Sequence, residues 1–156
     1  MSKPQIFIDL DGVLADFDGL ASIIFGMIPQ EFEDKYGSEA FWKKLQDFGP
    51  FFTSLRLMPD ALDLWDFCEP YNPIILTGCP RGKWAQPQKI KWVKDKLNTD
   101  RIITCLSKEK RNFAKQGDIL IDDFLKYQHL WLEIGDFIHH TSAENSIEEL
   151  KKRGFE

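Results

Sequence analysis

Residues 6–17 read IFIDLDGVLADF: an apolar run that sets two aspartates one residue apart, Asp9 and Asp11, ahead of Gly12 and a second apolar run. The apolar run over residues 5–10 suits a buried strand, and the polar turn at its end puts residues 9–12 where loops carry chemistry on a rigid scaffold. Runs of the same kind follow at 73–76 (PIIL), 102–106 (IITCL), 118–121 (DILI) and 137–139 (FIH). Each is a candidate parallel strand.

Between these runs lie helical patterns over residues 60–68, 87–97, 124–134 and 144–153. Pro87 suits a helix start, with Ile90, Val93 and Leu97 recurring at helical spacing. Gly135 and Gly154 follow two of the helical patterns as stops, and Thr141 with Glu144 resembles a capping box. Strands alternating with helices predict an α/β fold, an open, mainly parallel, Rossmann-like sheet with helices on both faces, built with right-handed crossovers. Its ligand site is expected beyond the carboxyl ends of the strands.

Residues 19–57 break the alternation, and they are rich in aromatics: Phe25, Phe32, Tyr36, Phe41, Trp42, Phe48, Phe51 and Phe52. A structureless loop of roughly forty residues is improbable in a compact domain. The segment is read as a small helical cap inserted after the first strand. The chain of 156 residues is then one domain, with its core in residues 1–18 and 58–156 and the cap at about 19–57.

Thirteen Phe and five Trp set the composition far from that of a disordered chain. A net charge of −5 without a long basic run argues against a nucleic-acid polymer as partner, and leaves a small anionic ligand open. Cys68, Cys79 and Cys105 are odd in number and lack metal-ligand spacing, which fits a reducing, cytoplasmic setting. The apolar N-terminal stretch is interrupted by aspartates before a signal peptide or membrane span could form, so no membrane association is expected. Oligomeric state is not legible.

The polar residues just past each apolar run are Asp9 and Asp11, then Thr77 and Gly78, then Ser107, Lys108 and Lys110, then Asp122 and Asp123. A parallel sheet gathers them on one edge. Clustered carboxylates repel one another unless a cation or protonation relieves them, and hard oxygen ligands of this kind suit Mg²⁺. Taken singly, each has a plainer reading: a polar turn for Asp9 and Asp11, a helix N-cap for Asp122 and Asp123, a β-branched strand end for Thr77, solvated basic surface for Lys110. Their occurrence in register favours the site.

The stretch DLDGVLADF resembles the first motif of the haloacid dehalogenase (HAD) superfamily, DxDGx[LVT]. ILTG is similar to its second motif, LSKEK supplies a third-motif lysine, and ILIDD matches its acidic fourth motif, all in order. The resemblance implies that Asp9 is a nucleophile forming an aspartyl-phosphate and that Asp11 is the general acid and then the base. It further implies that Thr77 binds a phosphoryl oxygen and that a lysine offsets charge during transfer. Mg²⁺ would be held by the Asp9 carboxylate, the Asp11 carbonyl and Asp122, with Asp123 in support.

Within that superfamily, DRIITCLSKEKRNFAKQGDILIDD and KWAQPQKIKWVKDKL are similar to regions of the 5'(3')-deoxyribonucleotidases, which favours Lys110 over Lys108. Phe17 matches their pattern as a substrate-binding residue that stacks on a base, with Gly78 also at the substrate. Trp42, Phe51 and Phe52 either line that slot or form cap core, with core the better reading. Two departures stand out: Gly78 replaces a small hydroxyl residue or alanine, and the tail from residue 126 onward differs. His139 and His140 read as structural, and Arg81 and Lys83 as surface charges that could also reach phosphate.

The expected function is Mg²⁺-dependent hydrolysis of a small phosphate monoester through an aspartyl-phosphate, with a (deoxy)nucleoside monophosphate as the finer reading. The alternatives are a phosphatase or phosphomutase for a sugar phosphate or other small metabolite, and a non-catalytic receiver-like or metal-binding interaction module. A receiver carries its acidic pair on the first strand and its phosphorylated aspartate on the third; here the second pair comes late and a helical segment intervenes.

Overall fold

β1, Ile6–Ile8, is the central strand of a five-stranded sheet in a computed structural model that describes residues 3–156. It pairs with β2 (Ile74–Gly78) on one side and β4 (Ile119–Asp122) on the other. β3 (Ile102–Cys105) lies outside β2 and β5 (Asp136–His139) outside β4, giving the order β3-β2-β1-β4-β5 with every pair parallel. The chain winds outward from β1 to β3, then returns to start the other half at β4. The carboxyl ends of β1 and β4 therefore flank the switch point, where open α/β sheets form their crevice.

Alternation along the strands divides the sheet into two apolar faces. Ile6, Ile8, Ile75, Ile119, Ile121 and Ile138 pack on one face with the buried residues of α4 (Ala61–Cys68), α5 (Ala85–Leu97) and α7 (Ala143–Lys152). Phe7, Leu76, Leu120 and Phe137 face the other way, where Trp131 of the short helix α6 (Gln128–Trp131) covers them and meets Phe7 edge-on at 5.5 Å. Helices thus cover both faces, and the α/β expectation holds with every strand parallel.

Between β1 and α4 lie α1 (Phe17–Phe25), α2 (Pro29–Tyr36) and α3 (Ser38–Phe48). The Asp16 carboxylate accepts the Gly19 N–H at 3.0 Å and caps α1, while Gly26 ends it in the left-handed conformation that glycine adopts freely. Phe25 stacks on Phe32 at 4.1 Å, and Phe41, Leu45, Phe51 and Phe52 join the same continuous core that fills one face of the sheet. Two contacts fasten α5 to this segment: the Trp92 indole N–H donates to the Leu55 carbonyl at 2.8 Å, and the Gln88 side chain accepts the Phe52 N–H at 2.9 Å.

Three local expectations change. The helix expected over 124–134 shrinks to α6, because the Phe124 N–H turns back to the Asp122 carboxylate at 2.9 Å and Phe124 and Leu125 stay exposed. α7 is capped by Ser142, whose hydroxyl accepts the Asn145 N–H at 3.0 Å, and not by Thr141. On α5, Ile90 is exposed and Lys89 takes the buried place beside Val93. No helix among the described residues is long and apolar enough to cross a membrane.

Candidate active site

Asp9 sits just past β1, its N–H donating to the Ile121 carbonyl of β4 at 2.9 Å, so pairing across the switch point fixes its backbone. The chain then curls so that the N–H groups of Leu14 and Ala15 both meet the Leu10 carbonyl at 2.9 Å. Gly12 makes that curl with φ +83°, and a side chain there would strike the Asp123 carboxylate. Glycine serves here for two reasons: positive φ and close approach. Asp11 and Asp123 are thereby brought to one rim.

The 3₁₀ segment Ser107–Phe113 after β3 turns Lys110 inward and leaves Lys108 exposed. The Lys110 ammonium donates to Asp9 Oδ1 and to Asp122 Oδ2, each at 3.0 Å. Its aspartate partners are buried with it. Asp9, Asp122 and Asp123 each offer a carboxylate oxygen, and these lie within 4.8 Å of one another. The His140 N–H donates to the Asp122 carbonyl at 2.9 Å, and the His140 ring meets the Ser146 hydroxyl at 2.8 Å, which gives that buried histidine a structural place.

Lys89 escaped the sequence reading. The residue is 0 % exposed, and its ammonium donates to Asp11 Oδ2, Thr77 Oγ1 and the Gly78 carbonyl, each at 2.8 Å. Helical spacing was the available signal, since Ala85, Lys89, Trp92, Val93 and Leu97 form one buried stripe. Thr77, itself fully buried within β2, joins Asp11 through this lysine.

These surroundings separate the two aspartates of the opening motif. Burial by itself would raise the Asp9 carboxyl, but the Lys110 ammonium and hydrogen bonds from Asp122 and Lys110 outweigh it and hold Asp9 below its ordinary value. At Asp11 burial prevails: the carboxyl is raised, with the Lys89 charge opposing and the Asp9 charge adding. Burial and then the Asp9 charge raise Asp122 well above the usual range and push Asp123 up to about 7. A pair of like groups driven apart in this way can divide nucleophile from proton donor. Asp11 Oδ1 is shielded from solvent and has no hydrogen-bond partner among the described residues.

Gly78 accounts for its departure from the nucleotidase pattern: a side chain at 78 would run into the Ser107 hydroxyl and backbone. A serine side chain from the next strand's exit fills the place that a residue-78 side chain would take. Phe17 is half-buried, with Phe41 at 6.2 Å and Phe51 at 5.2 Å from its ring. Phe51 and Phe52 are core, at 0 % and 1 % exposed, while Trp42 is partly buried. Arg81 and Lys83 are exposed in the loop before α5.

The donor set fits a hard divalent cation: three carboxylates within reach of one another, two of them raised by burial and then by the Asp9 charge, both of which a cation would offset. No protein-family model matches the chain, and no curated protein matches it. Solved structures do resemble it. A predicted phosphatase from Clostridium acetobutylicum is 16% identical, with a TM-score of 0.59 over 99% of this chain and 92% of that one. A hydrolase from Streptococcus pneumoniae is 13% identical, with a TM-score of 0.58 over 97% of this chain and 100% of that one. A HAD phosphatase from Thermococcus onnurineus is 14% identical, with a TM-score of 0.54 over 98% of this chain and 99% of that one. The protein thus has the fold of these hydrolases along nearly its whole length.

Proposed function

We propose that the protein is a HAD-type phosphomonoester hydrolase that works through an aspartyl-phosphate on Asp9 and depends on Mg²⁺. The observation that carries this reading is the split between Asp9 and Asp11 at one strand end, the first held low beside Lys110 and the second raised with Oδ1 unpartnered. The likeness in fold to solved phosphatases supports it.

In this reading Asp9 attacks phosphorus as the bond from phosphorus to the ester oxygen breaks, and the departing alkoxide takes the proton of Asp11. Water then attacks the aspartyl-phosphate, giving its proton to Asp11 while the phosphorus bond to Asp9 breaks. Ester and water become alcohol and inorganic phosphate, and both aspartates return to their starting states. Thr77 and Lys110 hold and neutralise phosphoryl oxygens. The Asp9, Asp122 and Asp123 carboxylates, with the Asp11 carbonyl, would hold Mg²⁺, which when bound supplies positive charge beside the transferring phosphoryl group.

For the organic part of the ester, a (deoxy)nucleoside monophosphate is the finer proposal. It rests on Phe17, a residue only partly buried two positions beyond the Asp9–Ala15 curl, while Phe51 and Phe52 lie too deep to stack on a base. Phosphate release would be screened with Mg²⁺ across nucleoside 5'- and 3'-monophosphates, sugar phosphates and acyl phosphates. Asp9→Asn is expected to abolish turnover on every active ester with its circular dichroism melt preserved. Appreciable hydrolysis by that variant sinks the nucleophile assignment, undiminished turnover in EDTA sinks the metal, and a preference for sugar phosphates removes the nucleotide.

A further inference from the structure

Lys89 takes no part in the chemistry just described, yet it is the most completely enclosed charged side chain among the described residues. An ammonium has three N–H donors and no acceptor. All three donors are used, on Asp11 Oδ2, Thr77 Oγ1 and the Gly78 carbonyl, and the Phe52 ring lies 4.6 Å away. The mount is rigid, because α5 is pinned on both sides of Lys89 through Gln88 to Phe52 and through Trp92 to Leu55.

Two consequences follow from the donor chemistry. Thr77 Oγ1 must accept from Lys89, so its own hydrogen is free to donate elsewhere, toward a phosphoryl oxygen. Asp11 has Oδ2 tied to the same ammonium, which fixes where its carboxyl stands beside Thr77. One buried cation therefore sets both the place of the Asp11 carboxyl and the direction of the Thr77 hydrogen bond.

We propose that Lys89 is a positioning residue for phosphoryl transfer: it holds the Asp11 carboxyl in place as the proton donor and turns the Thr77 hydroxyl into an obligate donor. This rests on the hydrolase reading above. A residue acting through Asp11 has a signature that a packing role lacks. Protonating the leaving oxygen matters most for esters with poor leaving groups, so losing the alignment should steepen the dependence of rate on leaving-group acidity.

The test measures kcat/KM with Mg²⁺ across monophosphates running from p-nitrophenyl phosphate through phenyl phosphate to simple alkyl phosphates. Wild type, Lys89→Met, Asp11→Asn and the double variant are compared, each checked by circular dichroism melting. Lys89→Met is expected to lose about 10²-fold or more on the poorest leaving group that wild type turns over, and under about tenfold on p-nitrophenyl phosphate. Its leaving-group slope should approach that of Asp11→Asn, and adding Lys89→Met to Asp11→Asn should cost less than about threefold more. Lys89→Gln, which keeps amide donors on the same stripe, should recover part of the loss.

Equal losses on all esters, with effects that multiply in the double variant, overturn the positioning role while leaving the hydrolase reading intact. Failure of both Lys89 variants to fold assigns the lysine to the scaffold and overturns it too. A wild type that hydrolyses none of the esters overturns the hydrolase reading itself.

Discussion

Replacing Lys110 by methionine keeps an unbranched side chain one atom shorter and removes the only ammonium that touches Asp9 and Asp122 among the described residues. Asp9 is the ionised partner, held low by that ammonium against its own burial. Asp9 is 6 % exposed and Lys110 8 %, so solvent cannot take over the lost charge. Breaking a buried ion pair by removing one member typically costs about 3–5 kcal/mol, because the survivor stays uncompensated. For a domain of this size each kcal/mol moves the melting temperature by about 2–4 °C, so metal-free Lys110→Met should melt roughly 6–20 °C below wild type at pH 8.

The deficit should shrink on acidification. A carboxyl raised in the folded state contributes stability that is full below its unfolded value and is lost as pH rises through the folded one. Without Lys110, Asp9 joins Asp122 and Asp123 among the raised carboxyls, so the variant is penalised most at pH 8 and least near pH 5. Calorimetric or circular dichroism melts in EDTA at pH 5, 6, 7 and 8 measure this. A deficit below about 1 kcal/mol at pH 8, or one that is constant with pH, would refute the account of Lys110 as the counter-charge.

Mg²⁺ should raise the melting temperature of wild type more at pH 8 than at pH 5, because Asp123, pushed up to about 7, must lose its proton to serve as a ligand; an equal shift at both pH values argues against that ligand set. His140 is held below its ordinary value by burial, so it lends stability above about pH 6.5 that disappears as pH falls through its folded value. Replacing it by glutamine should flatten the melting temperature between pH 7 and pH 5, and an unchanged acid limb would remove His140 from that role. Gly12→Ala should cost at least about 1 kcal/mol through its positive φ and should weaken the thermal shift by Mg²⁺ as the new methyl displaces Asp123. A variant with wild-type melting and metal response would show that the curl tolerates a side chain.

The strand pattern was legible because it is local. Short apolar runs closed by polar residues mark buried parallel strands and also the positions where such strands deliver side chains, so Asp9, Asp11, Thr77, Asp122 and Asp123 were all nameable in advance. The segment after β4 misled, since apolar residues at 124, 125, 130, 131 and 132 imitate a helix. Trp131, through its indole N–H to the Asp118 and Asp136 carbonyls, ties its short helix to the sheet.

Sequence by itself determined the alternation of strands and helices and the acidic, hydroxyl and basic groups at the strand ends, because both depend on short-range spacing. Tertiary structure decided the rest. Neighbouring positions on a helix differ in direction by about 100°, so the choice between Lys89 and Ile90 as the buried residue of α5 was made by the seating of Trp92 and Val93 in the core. It also decided that Asp9 and Asp11, one residue apart and chemically identical, should differ: each carboxyl meets a different lysine, delivered from a different part of the chain. Charge and burial act through space, and no spacing along a sequence records them.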